Sequence, residues 1–242
     1  MPASPPEVVV VLAAGTGSRL GGGLGPPKPL MDLGGRPLVL GVLDRFAGAG
    51  VREAVVVVGH RADEVRAGIE AGAPRLAVRF AQNPRYLMSN GLSVLAARET
   101  VAGRDFFLSM ADHVFERELI DGLGRAPLPA GGLVLAVDRK LDRIFDMDDA
   151  TKVRTEQGRI VEIHKRLTAF DAVDTGLFAC TPALFDAIEA AAARHPEGDC
   201  SLSDGVKALA ASGLALVHDI GEGRWQDVDT PEMAAEAESR FS

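Results

Sequence analysis

Two glycines, two cations and an acid are the residues of this 242-residue chain whose types and spacing could do chemistry. Gly15 and Gly17 follow the β-prone run Val8 to Leu12. Glycine tolerates positive φ and has no Cβ, so the backbone can turn sharply there and bring its N–H groups close to a phosphate. Arg19 and Lys28 lie on either side of Gly21 to Gly25, two cations bracketing a flexible flap over a polyanion. Two better-known phosphate loops are excluded by spacing. The dinucleotide fingerprint needs a third glycine where Leu20 stands, and an acid after the next strand, Val55 to Gly59; Walker A needs Ser or Thr where Pro29 follows Lys28. Downstream, the apolar run Phe106 to Met110 ends in Ala111-Asp112-His113. A carboxylate at that point could hold a magnesium ion bridging triphosphate oxygens, or simply cap the helix carrying Leu119, Ile120 and Leu123. His113 reads as a polar loop residue without an assigned role.

For such groups to meet, the chain must place them on one rim. Val8 to Leu12 is too short for a helix and apolar on both faces, so it reads as a central strand of a parallel sheet. Pro37 should sit in the first turn of a helix whose Val39, Val42, Leu43 and Phe46 recur at helical spacing until Gly48 and Gly50. Val55 to Val58, a helix through Val65 and Ile69, and a strand Leu76 to Phe80 continue the alternation. This predicts a doubly wound, mostly parallel Rossmann-like α/β sheet, whose ligands bind at the carboxyl ends of the strands. Gly15, Gly59 and Asn83 would share that rim. In Asn83 to Ser93, Ser89 or Asn90 caps the helix carrying Leu92, Leu95 and Ala96, contacts a ligand, or does both.

From Leu133 the pattern turns β-rich. Leu133 to Val137, Thr151 to Thr155, Arg159 to Lys165 and Val173 to Cys180 read as strands, with a turn at Gln157-Gly158. Pro182 to Arg194 reads as a helix capped by Thr181; Ser201 to Val206 opens another, its serines caps rather than catalytic groups; Leu214 to Asp219 is a late strand. Thr230 and Pro231 start the terminal helix, which leaves Asp229 as a bystander to a cap or as a ligand.

Composition bounds the rest. The length suits one α/β domain, and 47% hydrophobic with 25% charged residues is ordinary for a globular protein. A net charge of −8 argues against a broad nucleic-acid surface and leaves room for a local cationic pocket. Cys180 and Cys200 fit no metal spacing, and the N-terminal MPASPPE lacks the basic start and apolar core of a signal. No apolar run approaches a membrane span. The expectation is a cytoplasmic protein without membrane or nucleic-acid partners.

The order Leu12-Ala-Ala-Gly-x-Gly-x-Arg19 followed by Pro27-Lys28-Pro29 resembles the nucleotidyltransferase signature of nucleoside-diphosphate-sugar synthases. The resemblance implies that Leu12, Ala13, Ala14, Gly15, Thr16 and Gly17 cradle a nucleotide with help from Asn83, Ser89, Asn90 and Ser93. It makes Asp112 a metal ligand. Asp148 to Val153, Glu162 to Lys165 and Ala172 to Phe178 recur in the order found in inositol-1-phosphate cytidylyltransferases, and Trp225-Gln-Asp-Val-Asp-Thr-Pro231 resembles their ending. By that resemblance Asp229 is the second metal carboxylate, and a β-rich stretch near 133–180 forms the acceptor side with Asp149, Lys152, Lys165, Asp174, Thr175 and Gly176.

The implied reaction is Mg²⁺-dependent transfer of a cytidylyl group from CTP to inositol-1-phosphate, giving CDP-inositol and pyrophosphate. Arg19 and Lys28 would neutralise the triphosphate and Lys152 would pair with the acceptor phosphate. Two features depart from the family: the loop between Arg19 and Lys28 is unusually glycine-rich, and His60 stands where an aromatic residue is common. A related enzyme would use phosphocholine, a phosphonate or a sugar-1-phosphate; one Trp and one Tyr in the whole chain disfavour a quaternary ammonium. A non-catalytic nucleotide sensor would be expected to have lost an acid or the loop lysine, and Asp112, Asp229 and Lys28 are all present.

Overall fold

The computed structural model describes residues 4–17 and 25–241. The chain begins in β1 (Val8–Ala13), six buried residues. A 3-10 turn at Lys28–Leu30 and a small ribbon, β2 (Asp32–Leu33) with β3 (Arg36–Pro37), lead into α1 (Leu38–Gly48). Pro37 therefore precedes the helix it was expected to enter. Next come β4 (Glu53–Val58), α2 (Ala62–Ala71), β5 (Ala77–Gln82), α3 (Gly91–Ala96), α4 (Arg98–Val101) and β6 (Phe106–Met110). The chain goes on through β7 (His113–Phe115), α5 (Arg117–Arg125), β8 (Leu133–Asp138), β9 (Lys152–Glu156), β10 (Arg159–His164) and β11 (Ala172–Cys180). It finishes with α6 (Ala183–Ala192), α7 (Leu202–Ala211), β12 (Ala215–Asp219), β13 (Trp225–Asp227) and α8 (Pro231–Phe241).

The main sheet has the order β5-β4-β1-β6-β11-β8-β12-β10-β9. The strands β5, β4, β1, β6, β8, β12 and β9 run one way, while β11 and β10 run against them. Helices cover both faces, so the expected doubly wound and mostly parallel arrangement is what the chain adopts. Val9 and Val11 of β1 face α1 through Val39, Leu43 and Phe46, and Val8, Val10 and Leu12 face the opposite core with Val94 and Leu184. Full burial of each large apolar side chain stabilises by about 1.5–3 kcal/mol, which is why the five-residue apolar run becomes the middle of a sheet.

The β-rich stretch from Leu133 divides in two. β8 and β11 lie at the centre of the sheet, β11 bridging β6 and β8, while β9 and β10 form a hairpin at its edge. Thr181 does not cap α6: its hydroxyl donates to the Gly132 carbonyl at 2.9 Å, and Pro182 occupies the cap position. Ser201 does cap α7, where it and Asp204 form a reciprocal capping box. A second ribbon, β7 with β13, pairs Asp227 with His113 and Trp225 with Phe115. Among the described residues no helix is long and apolar enough to cross a membrane.

Candidate active site

The carboxyl ends of β1 and β6 and the β13–α8 junction converge on one lysine. Lys28 is presented by the 3-10 turn, whose backbone closes through Leu30 N to Pro27 O at 2.7 Å and Met31 N to Lys28 O at 3.1 Å. Gly17 lies against it with φ +61, and a Cβ there would stand 2.6 Å from Lys28 Cβ. The second glycine of the loop is thus required both for its backbone conformation and for the lysine's approach. The Lys28 ammonium donates to Asp112 Oδ2 and to Asp229 Oδ1, joining residues 84 and 201 positions away. Val228 N donates to Asp112 O at 2.9 Å and so fixes the two acid-bearing loops to each other. Asp229 N in turn faces Met233 Sδ at 3.3 Å.

Electrostatics follow from this packing. Burial pushes the Asp112 carboxyl up, but the Lys28 ammonium and the hydrogen bond from His113 outweigh it and hold the group well below the carboxylate range. Burial opposes the charge on Lys28, and the two carboxylates outweigh it, so the ammonium is held more firmly than usual. His113 Nδ1 lies 2.8 Å from Asp112 Oδ1; burial disfavours the imidazolium, yet Asp112 and Asp227 raise its pKa overall. Asp227 is pushed up, first by burial and then by its neighbours Asp229 and Asp112.

Asp112 and Asp229 already share a cation, the Lys28 ammonium, and offer the hard carboxylate oxygens that Mg²⁺ takes. Among the described residues no three His, Cys, Asp or Glu side chains converge as a metal centre. The donor set suits magnesium.

A recess of about 230 Å³ beside this trio is lined by Leu12, Ala13, Gly15, Gly17 and Lys28. It adjoins a cleft of about 590 Å³ that continues past Ala14 to Asn90 and Ser93 on one side and to Asp149, Lys165, Asp174 and Gly176 on the other. Thr16 is exposed in the loop between. Arg19 lies outside the described residues.

Not every expected residue faces the cleft. Asn83 is buried and clamps its own segment, donating to Ser93 Oγ at 3.0 Å and accepting from Arg85 N at 2.8 Å. Ser89 is tied by backbone and hydroxyl to Asp199, each at 2.9 Å. Asn90 makes no cap bond to α3; its Oδ1 accepts from Leu202 N at 2.9 Å, joining the starts of α3 and α7. Thr175 is buried, its hydroxyl on the Ala136 carbonyl at 2.8 Å. Lys152, expected on the acceptor phosphate, is 6% exposed and donates to Asp148 O at 3.1 Å. Lys165 does open onto the cleft, paired with Asp149 at 2.6 Å, as does Lys140. His60 sits with its ring 5.9 Å from Tyr86.

The sequence reading missed Tyr86, Met88, Leu202 and Ser203 on one wall, and Asp138, Lys140 and Trp225 on the other. Tyr86 and Met88 lay inside the polar cluster already singled out, where two amphipathic side chains beside Asn90 were the available signal. Leu202 and Ser203 gave none beyond a cap, because only the tertiary fold brings α7 to α3.

Taken together, the doubly wound sheet and this rim define a class: an α/β protein that gathers a glycine turn, a lysine and two acids at the carboxyl ends of its central strands. A family model for the MobA-like NTP transferase domain matches residues 9–211, and the chain belongs to that family. It is 40% identical over 225 residues to the bifunctional IPC transferase and DIPP synthase of Rubrobacter xylanophilus, covering 92% of this chain and 49% of that protein. It is 34% identical over 256 residues to the CMP-5'-(3-aminopropyl)phosphonate synthase of Streptomyces rubellomurinus, covering 100% of this chain and 40% of that one. The chain therefore spans about half the length, or less, of these curated relatives. The inositol-1-phosphate CTP transferase structure from T. maritima superposes with a TM-score of 0.82 at 24% identity over 100% of both chains, so the fold is shared.

Proposed function

We propose that the chain is a CTP:inositol-1-phosphate cytidylyltransferase. The observation that carries this reading is the Lys28 ammonium shared by Asp112 and Asp229 at the mouth of the glycine turn. Such a trio suits a nucleoside triphosphate reacting at its α-phosphorus. An acceptor phosphate oxygen bonds to that phosphorus while the bond to the bridging oxygen of the β-phosphate breaks, releasing pyrophosphate. No protein nucleophile is needed, so catalysis rests on positioning and charge neutralisation. Asp112 and Asp229 would hold Mg²⁺, which when bound neutralises charge at the α-phosphate and the leaving group. Arg19 and Lys28 balance the triphosphate charge, and the turn through Gly15, Thr16 and Gly17 supplies backbone N–H groups. Ala14, Asn90 and Ser93 line the nucleotide half of the cleft, with Asn83 and Ser89 bracing it from behind.

In the acceptor half, Lys165 and Asp149 face the cleft, and Lys152 orders the loop above it through Asp148. Lys165 therefore takes the acceptor phosphate in this reading, and Asp174 and Gly176 take its hydroxyls. Lys165→Met should raise the KM for the acceptor roughly tenfold, the loss expected for one partly exposed charge-assisted contact, with the KM for CTP unchanged. An unchanged acceptor KM would take the role away from Lys165. The nucleotide substrate and two buried free cysteines, Cys180 and Cys200, favour a cytoplasmic setting.

A phosphonate acceptor is the second reading, favoured by the likeness to the aminopropylphosphonate enzyme along the whole chain. Pyrophosphate release, measured with Mg²⁺ for each of four NTPs against inositol-1-phosphate, phosphocholine, aminoalkylphosphonates and hexose-1-phosphates, decides between them. Release with CTP and inositol-1-phosphate alone is the expected result. Release with a phosphonate alone replaces the acceptor, and tight nucleotide binding with no release on any pair makes the chain a sensor.

A further inference from the structure

His113 is a residue of the rim to which the proposed reaction gives no task, and it is held on several sides. One face of its imidazole meets the Trp225 indole, with ring centroids 6.0 Å apart and planes 18° from parallel. Against another side lies Gly176, at φ +74, where a Cβ would stand 2.5 Å from His113 Cδ2. Only glycine suits both that backbone and that contact. The ring is thus confined between the β7–β13 ribbon and β11, and its Nδ1 reaches Asp112 Oδ1 at 2.8 Å. Since Asp112 Oδ2 belongs to Lys28, both oxygens of that carboxylate are oriented by partners.

The indole is anchored in turn. Trp225 Nε1 donates to Asp138 Oδ2 at 2.9 Å, and Asp138 is 3% exposed. The other Asp138 oxygen accepts from Lys140 N at 2.8 Å and meets Lys140 Nζ at 2.8 Å. Lys140 Nζ also donates to Gly221 O at 2.6 Å, so the end of β8 is tied to the segment that delivers Trp225. A buried carboxylate with every oxygen engaged is costly to place, and here one oxygen holds the indole while Lys140 holds the other.

We propose that Asp138 and Trp225 are positioning residues: the Asp138 carboxylate fixes the Trp225 indole, and the indole with Gly176 clamps His113 in the orientation that aims Asp112. The inference rests on the reading of Asp112 as a metal ligand and extends it by two shells of support. Outer-shell partners of metal ligands typically contribute roughly 10–100-fold to metal affinity, so the arrangement has a measurable consequence.

The test is calorimetric binding of Mg²⁺·CTP to the whole chain, in the native and His113→Ala backgrounds. Asp138→Ala should weaken binding roughly tenfold in the native background and less than twofold when His113 is already alanine, because coupled residues lose their effect once the shared partner is gone. Asp138→Asn, which keeps one acceptor for the indole N–H and turns a donor toward Lys140, should recover only part of the loss. Trp225 is the sole tryptophan, so its fluorescence anisotropy decay reads the clamp directly: immobile in the native protein, mobile in Asp138→Ala. Equal losses in both backgrounds, or an indole that stays immobile without Asp138, would overturn the inference. The underlying reading fails separately, if Asp112→Asn leaves the Mg²⁺ dependence of CTP binding intact.

Discussion

Lys28→Met lowers turnover by roughly a hundred- to a thousandfold, the range seen when one preorganised charge partner of a transition state is removed. The lysine has two tasks, and the substitution removes both. In the free protein its ammonium, with 10% of the side chain exposed, is shared by carboxylates that are 28% and 15% exposed. In the proposed reaction the same cation, which lies beside the glycine turn, would balance triphosphate charge. Taking one partner from a buried pair costs about 3–5 kcal/mol, and the openness of Asp112 trims this to about 2 kcal/mol. The sign is set by both ends of the trio. Asp112 is depressed below its ordinary 3.8, so its contribution is present above that value and is lost as pH falls through the lower folded value. Lys28 is raised above its ordinary 10.5, so its contribution is present below that value and is lost as pH rises past it. Native and Lys28→Met proteins should therefore differ most across the neutral range and converge in strong acid. Urea unfolding at several pH values with and without Mg²⁺ measures this, and Mg²⁺ should restore part of the variant's loss by re-occupying the acid pair. A variant with native turnover would remove Lys28 from the reaction.

How much of this was legible before the fold was known depends on the range of each interaction. Val8 to Leu12 declared a two-sided strand because every residue in it is apolar, and Gly15 and Gly17 declared a turn because glycine takes backbone conformations that other residues avoid, as Gly17 does at φ +61. Phe106 to Met110 ended where the apolar run ended. Those are local facts. The meeting of Asp112 with Asp229 is not, since it depends on β13 pairing with β7 across more than a hundred residues; only the likeness of the Trp225 to Pro231 segment to a family ending pointed there. Lys152 shows the limit from the other side. Its strand pairs with both β10 and β11, so a residue that would be solvated on an edge strand is enclosed. Asn83, Ser89 and Asn90 teach the same lesson: polar residues before a helix can be read as caps or ligand contacts, and the fold used them to hold α3 against Asp199 and α7. Periodicity reports which face of an element is wet, and it is silent on which distant element covers it.

Asp174 carries the second large effect, and it acts on stability and binding in opposite directions. Its carboxyl is enclosed near the start of β11, where the Gly176 N–H at 2.7 Å and the nearby His113 are its favourable neighbours. They do not offset the cost of burial, and the group is pushed up to about 6. An acid raised in the folded state makes folding less favourable as pH rises from its unfolded value near 3.8 to about 6, because the folded chain gives up that proton late. The gap corresponds to about 3 kcal/mol, and the residue's opening to the cleft reduces it to about 2 kcal/mol. Asp174→Asn should therefore match the native protein in stability below pH 4 and exceed it by about 2 kcal/mol at pH 8, a difference that denaturant titration at the two pH values resolves. If the carboxylate reads hydroxyls of the acceptor, the same substitution raises the acceptor KM at pH 8. Strain kept at a position that a simple amide would relieve is expected where function uses the charge. A variant that gains stability and keeps the native acceptor KM would show that Asp174 is buried for structural reasons alone, whereas one that gains none would mean that the carboxyl is better solvated than its surroundings indicate.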